Sequence, residues 1–181
     1  MVGHASGHKR PMTTIALLRA VNVGGTGKLP MAELKAIAEG LGFERVRTYI
    51  ASGNLLFETK FEEAAAKAKL EGRLHEHAGK AVGVMVRSAA EMAKVVADNP
   101  FAEEPGDRVV AIFLDEPPPK SALTEHKNLN DERIALGKRE IYVHYPGGQG
   151  TSRLIIPAAK AGTARNMNTV EKLAEMARAE A

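Results

Sequence analysis

The chain has 181 residues, enough for one well-cored domain or two small lobes. It contains no cysteine, which excludes disulfides, thiolate metal sites and a cysteine nucleophile together. With 25 basic against 22 acidic residues, net charge alone does not mark a nucleic-acid binder.

No apolar run approaches the roughly 20 residues of a membrane span. The basic opening MVGHASGHKRP precedes an apolar stretch too short for a secretion signal, and no cleavage pattern follows. The expectation is a cytoplasmic protein without membrane contact, with residues 1–11 as a flexible tail. His4 and His8 there read as solvated residues, because a loose arm would have to be ordered before it could hold a metal.

Thr13 to Leu18 reads TTIALL, a β-rich apolar run of central-strand length. The segment VNVGGTGKLP follows, and Met31, Leu34, Ile37, Ala38 and Leu41 then recur at helical spacing from Pro30 to the Gly42 stop. A strand, a glycine loop and a helix in this order often bind anions. The glycines admit backbone N–H groups to the ligand, and the helix start adds partial positive charge. A nucleoside-triphosphatase phosphate loop does not fit, since it needs glycine where Asn22 stands and Ser or Thr where Leu29 stands.

Val46 to Ile50 and Leu55 to Glu58 read as two further strands joined by the turn formers Ser52, Gly53 and Asn54. Phe61 to Ala78 is an alanine-rich helix stopped by Gly79, and Val82 to Val86 a fourth strand. This βαββαβ order is the split βαβ pattern of a ferredoxin-like sandwich, with its helices on one face of the sheet. Ser88 with Glu91 forms a capping box for a helix to about Ala97, closed by Asn99 and Pro100.

Val109 to Leu114 reads as a strand, Pro117 to Pro119 as a stiff connector, and Ser121 to Lys127 as a short helix. Glu132 to Leu136 and Glu140 to Tyr145 form a hairpin over Gly137, Lys138 and Arg139. A helix from about Ser152 to Ala161, shortened or kinked by Pro157, precedes a last helix capped by Asn168 with Glu171 at the reciprocal position. The expected fold class is therefore α+β: a ferredoxin-like lobe over residues 12–88, then a related βαββ lobe with C-terminal helices over residues 89–181, forming one compact unit.

Charge is distributed unevenly. Ile15 to Ala32 carries Arg19 and Lys28 with no acid, and Thr151 to Val170 carries Arg153, Lys160 and Arg165, again with no acid.

Three stretches, LLRAVNVGG, TYIASGN and TARNMNTVEKL, with NPF at Asn99 to Phe101, stand in an order and spacing that resembles the bacterial family known as domain of unknown function 1697. The resemblance covers Met12 to about Ala177 and implies an α/β fold of two related lobes, but no reaction. It lays an Arg, an Asn and paired glycines onto Arg19, Asn22, Gly24 and Gly25. A Thr-Tyr and a Ser-Gly-Asn fall on Thr48, Tyr49, Ser52, Gly53 and Asn54. An Arg-Asn, an Asn-Thr and a Lys-Leu fall on Arg165, Asn166, Asn168, Thr169, Lys172 and Leu173. Ala51 stands where the family often carries a polar residue.

The ligand-binding expectation therefore falls on Arg19, Asn22, Gly24, Gly25, Lys28, Ser52, Gly53, Asn54, Arg165, Asn166, Thr169 and Lys172. Arginine beside amide and hydroxyl donors and glycine backbone suits phosphate or carboxylate. Each asparagine taken alone also fits a turn-holding role. The three stretches contain no Asp, Cys or His, and no G-x-S-x-G elbow occurs, so acid–base and nucleophilic chemistry have little support. Glu71 and His75 could share a helix face, but two ligands fall short of the three or four zinc wants, so neither metal nor cofactor is expected.

The favoured reading is binding of an anionic, phosphate-bearing ligand, a nucleotide or nucleic acid. With aromatics at 4% and no K/R-G-F/Y-G/A-F pattern, phosphate contact rather than base stacking would dominate. The alternatives are an enzyme acting on a phosphorylated or acyl metabolite by electrostatic stabilisation, and a protein–protein adaptor. Arg165 is expected to project from the start of the last helix, surface-facing, so that its loss would leave the fold nearly intact.

Overall fold

A computed structural model describes residues 12–19, 29–50 and 53–179. These fold into two four-stranded antiparallel sheets and four α-helices. The first half runs β1 (Met12–Leu18), α1 (Met31–Gly40), β2 (Glu44–Tyr49), β3 (Asn54–Thr59), α2 (Glu63–Ala78), β4 (Val84–Ser88) and α3 (Ala89–Ala97). The second half runs β5 (Val109–Phe113), β6 (Arg133–Leu136), β7 (Glu140–His144), β8 (Thr163–Asn166) and α4 (Met167–Ala179). Strand order is β2-β3-β1-β4 in one sheet and β6-β7-β5-β8 in the other.

Side-chain alternation along the strands explains the layering. From β1, Ala16 and Leu18 point to one face of the first sheet and pack on Leu34 and Ile37 of α1 and Ala66, Leu70 and Leu74 of α2. Ile15 and Leu17 point the other way, into a second core shared by α3, α4 and the inner face of the second sheet. That core joins Leu56, Met85, Met92, Val95, Ala111, Phe113, Tyr142, Val170 and Leu173. The outer face of the second sheet, with Val110, Ile112, Ile141 and Val143, is covered by Ala122 and Ile156 from irregular segments. A continuous apolar run such as Ile15 to Leu18 is what a strand buried on both faces requires.

The two sheets repeat one another in register. Leu17 opposes Asn54 in the first as Phe113 opposes Glu140 in the second. Ile15 opposes Arg87 as Ala111 opposes Arg165. Arg47 opposes Leu56 as Ala135 opposes Tyr142.

The structure corrects the second half in four places. The segment expected as a helix from Ser152 to Ala161 is irregular apart from one short 3-10 turn, Pro157–Ala159, with Ile155 bridged to Lys127, and another 3-10 turn, Gln149–Thr151, precedes it. Pro157 lacks the N–H that a continuing helix needs, and the preceding glycines favour irregular chain. The short helix over Ser121 to Lys127 is a single 3-10 turn, Lys120–Leu123. Residues 163–166 form a fourth strand, so the second sheet has one strand more than the βαββ reading. The last helix starts at Met167, and its first-turn Thr169 N–H is received by the Asn166 side chain at 2.9 Å, so Asn166 rather than Asn168 is the cap. The capping box of Ser88 and Glu91 is present as the sequence requires. The N-terminal segment 1–11 lies outside the described residues.

Candidate functional site

β1 ends at Leu18, and the next residue, Arg19, stands exposed at the strand end. Its backbone N–H donates to the Gly83 carbonyl at 2.8 Å, and its guanidinium Nη2 reaches across to the Lys160 carbonyl. A contact between sequence positions so far apart brings the acid-free stretch around β1 against the acid-free stretch before β8.

Arg165 joins the same two stretches from below. It lies on β8, pairs with Ala111 across the ladder and is 8% exposed. Its Nε donates to Asn54 Oδ1 at 2.7 Å, Nη2 to the Leu18 carbonyl at 2.9 Å and the Gly53 carbonyl at 3.3 Å, and Nη1 to the Ala164 carbonyl at 2.9 Å. Asn54 is fully buried and donates through Nδ2 to the Tyr49 carbonyl at 2.9 Å. Burial lowers the Arg165 pKa to about 10, which still leaves the group charged at neutral pH. This corrects the expectation of a surface-facing arginine. The residue belongs to strand β8 and not to the start of the last helix from which it was expected to project, and the strand aims it inward.

The same arrangement recurs at the opposite end of the molecule. Arg87 of β4 donates through Nη2 to the carbonyls of Leu114 at 2.5 Å and Arg139 at 3.1 Å, and through Nη1 to the Val86 carbonyl at 2.9 Å. Its Nε donates to the Glu140 carboxylate at 3.1 Å. The ladder registers make Leu114 the counterpart of Leu18, Arg139 of Gly53 and Glu140 of Asn54. Even the turn bond repeats, Leu18 N–H to Gly53 O at 2.8 Å matching Leu114 N–H to Arg139 O at 2.9 Å. Each sheet thus sends one buried arginine from an edge strand into the other sheet. The arginine takes its own strand's outward carbonyl as well, which blocks that edge.

The two ends differ in charge. Around Arg87, burial lowers the arginine pKa and Glu140 opposes that shift. Arg139 is held by Glu63 at 2.8 Å and Glu91 at 2.7 Å, and Lys67 by Glu71 at 3.3 Å and Asp115 at 3.4 Å. At the Arg165 end, the corresponding position is the amide of Asn54, and Arg19 and Arg165 come from the two stretches that carry Arg and Lys but no acid.

Of the residues singled out from the sequence, the structure brings together Arg19, Gly53, Asn54 and Arg165. Asn166 and Thr169 stand next to them as the cap of α4. Lys172 lies on the exposed side of that helix, 3.9 Å from Glu175. Asn22, Gly24, Gly25, Lys28 and Ser52 lie outside the described residues. Sequence reasoning passed over Lys160 as a partner of Arg19, and Arg87 with Glu140 as the second clamp. A signal for the latter existed: an arginine followed at once by a helix-capping residue occurs both at Arg87-Ser88 and at Arg165-Asn166.

Among the described residues no group of three or more His, Asp or Glu side chains is placed to hold a metal ion, and no helix is long and apolar enough to cross a membrane. His77 faces Glu33 at 3.0 Å, and Glu71 receives the Val84 N–H at 3.3 Å, so the Glu71 and His75 pairing considered from the sequence has its carboxylate otherwise engaged.

A family model described as a protein of unknown function, DUF1697, matches residues 12–142. Among solved structures, the chain is similar to the conserved bacterial protein SP0830 from Streptococcus pneumoniae, with a TM-score of 0.77 and 26% sequence identity over 93% of this chain and 99% of that one. No curated protein matches it.

Proposed function

The chain belongs to the DUF1697 family, and from that premise we propose that it binds an anionic, phosphate-bearing ligand, a nucleotide or nucleic acid, at the end of the molecule where Arg19 and Arg165 meet. One observation carries the reading. The two stretches without an acidic residue, far apart in sequence, are joined in space by Arg19 to Lys160 and by Arg165 to Leu18. A chance fluctuation of charge along the chain gives no reason for the two stretches to meet, whereas an anion site does. The ligand's phosphate would be received by the exposed Arg19 and the Lys160 ammonium, with the buried Arg165 adding positive potential behind them.

The order β2-β3-β1-β4, with α1 and α2 on one face, supports the further proposal that the first lobe is a ferredoxin-like split βαβ unit, a framework on which nucleic-acid binders recur. The scarcity of aromatics favours phosphate contact over base stacking.

A thermal-shift screen of nucleotides, phosphosugars and oligonucleotides at low and high salt tests the proposal. A nucleic-acid ligand gives a stabilisation that falls steeply with salt, and a small metabolite gives one that salt changes little. Arg19→Ala should weaken binding and, for an oligonucleotide, reduce the salt slope by about one. A protein stabilised by none of these compounds would overturn the reading in favour of an adaptor.

A further inference from the structure

The two clamps make the same four kinds of contact and differ at one of them. Arg87 Nε meets the carboxylate of Glu140, and Arg165 Nε meets the amide oxygen of Asn54. Both partners open the third strand of their sheet, and both are buried, Asn54 at 0% and Glu140 at 5% exposure. The carbonyl contacts are common to the two ends, so they account for the shared work of locking one sheet to the other. The amide in place of the carboxylate accounts for nothing in that locking.

Resting on the anion-site reading, we infer that Asn54 is the residue that sets the charge, and so the ligand preference, of this end. It holds Arg165 as Glu140 holds Arg87, but adds no negative charge. The end therefore keeps a net positive potential toward an anion at its rim, whereas its twin is closed by its own carboxylates. Asn54 is in this sense a specificity-determining residue that need not touch the ligand. Its amide is also spoken for on both sides, accepting from Arg165 and donating to the Tyr49 carbonyl. A carboxylate here would act over a few ångströms in a medium of low effective dielectric, where one unit charge shifts anion affinity by an order of magnitude or more.

The experiment compares wild type with Asn54→Asp, which is isosteric and adds the charge, and with Asn54→Ser, which gives up the amide without adding charge. Inorganic tripolyphosphate and ATP are the probes, titrated calorimetrically, with the melting temperature of each variant measured alongside. The expected result is that Asn54→Asp weakens binding of both probes at least about tenfold, while Asn54→Ser stays within about threefold of wild type although it loses a similar amount of stability. Equal losses in both variants would show that Asn54 acts through shape, and unchanged binding in Asn54→Asp would show that the clamp's charge does not reach the ligand. Either result overturns the inference while leaving the anion site standing, whereas failure of wild type to bind either probe removes the site itself. Should Asn54→Asp not fold, Asn54→Glu, carrying the residue of the twin clamp, repeats the test with the same expectation. Unfolding of both charged variants beside a folded Asn54→Ser counts against the inference, since this end would then not accept the charge its twin carries.

Discussion

A guanidinium aimed at four oxygens, three backbone carbonyls and the side-chain amide of Asn54, is costly to remove, because the carbonyls of Leu18 and Gly53 lose a charged donor within a buried site. Arg165→Ala is therefore expected to destabilise the protein by about 2–4 kcal/mol, read from the midpoint of urea unfolding, and Arg165→Lys should recover little since one ammonium cannot span the same fork. A loss under about 0.5 kcal/mol, the usual range for a surface position, would return Arg165 to the role sequence reading gave it. That reading went astray for a definite reason. Residues 163–166 read TARN after Ala161 and Gly162, with Thr163 the one β-branched residue, so neither periodicity nor β-branching announced a strand. Gly162 sits so close to the second sheet that an added Cβ would lie 2.6 Å from Ile112 Cγ2, a constraint that only the folded chain reveals. The cap box of Ser88 and Glu91, by contrast, depends on four consecutive residues and was fully legible.

At the scale of elements, α2, α3 and the hairpin of β6 and β7 are tied by one side chain. Arg139 lies 2.8 Å from Glu63 at the start of α2 and 2.7 Å from Glu91 in the first turn of α3. Burial pushes the Glu91 carboxyl up, but the Ser88 backbone N–H and Arg139 outweigh it and hold the group below the usual carboxylate range. A carboxyl whose folded pKa is depressed contributes stability that is present above its unfolded pKa and lost as pH falls through the folded one. Glu91→Gln should accordingly be less stable than wild type at neutral pH, with the deficit shrinking once pH drops below about 4. Urea midpoints of both proteins between neutral pH and pH 3 check this, and a deficit independent of pH would assign the effect to lost helix-capping geometry alone. Helices α1, α2 and α3 and the hairpins were readable because their apolar spacing and stop residues are local. The segment 152–161 was not, because Pro157 breaks its helical apolar spacing and leaves a single 3-10 turn, Pro157–Ala159, with Ile156 packed on the outer face of the second sheet.

For the whole molecule, the decisive feature is that the two halves, besides an apolar layer of their own, share a core between them. Leu56 and Met85 of the first sheet and Phe113 and Tyr142 of the second enclose the same apolar space, which α3 and α4 fill. Tyr142 donates from its hydroxyl to the Val95 carbonyl at 2.7 Å across that space, and burial raises its pKa as a phenol kept neutral. That the second half echoes the first could be read from the order of strands. That the two sheets face each other across a pair of helices could not, since a doubly buried strand reads only as a run of apolar residues and does not say what lies on either side. The arrangement has a thermodynamic consequence. Leu173 of α4 is fully buried in the shared core, and Leu173→Ala should cost about 2–5 kcal/mol through lost transfer energy and the cavity left behind. Because the core belongs to both sheets, the loss should lower hydrogen-exchange protection of β3 and β7 amides by the same amount and preserve one cooperative transition. Leu70→Ala, which opens a cavity on the far side of the first sheet, provides the comparison. If Leu173→Ala separated the transition into two, or weakened protection in only one sheet, the halves would be independent folding units and the reciprocal arginines would be docking contacts between finished lobes.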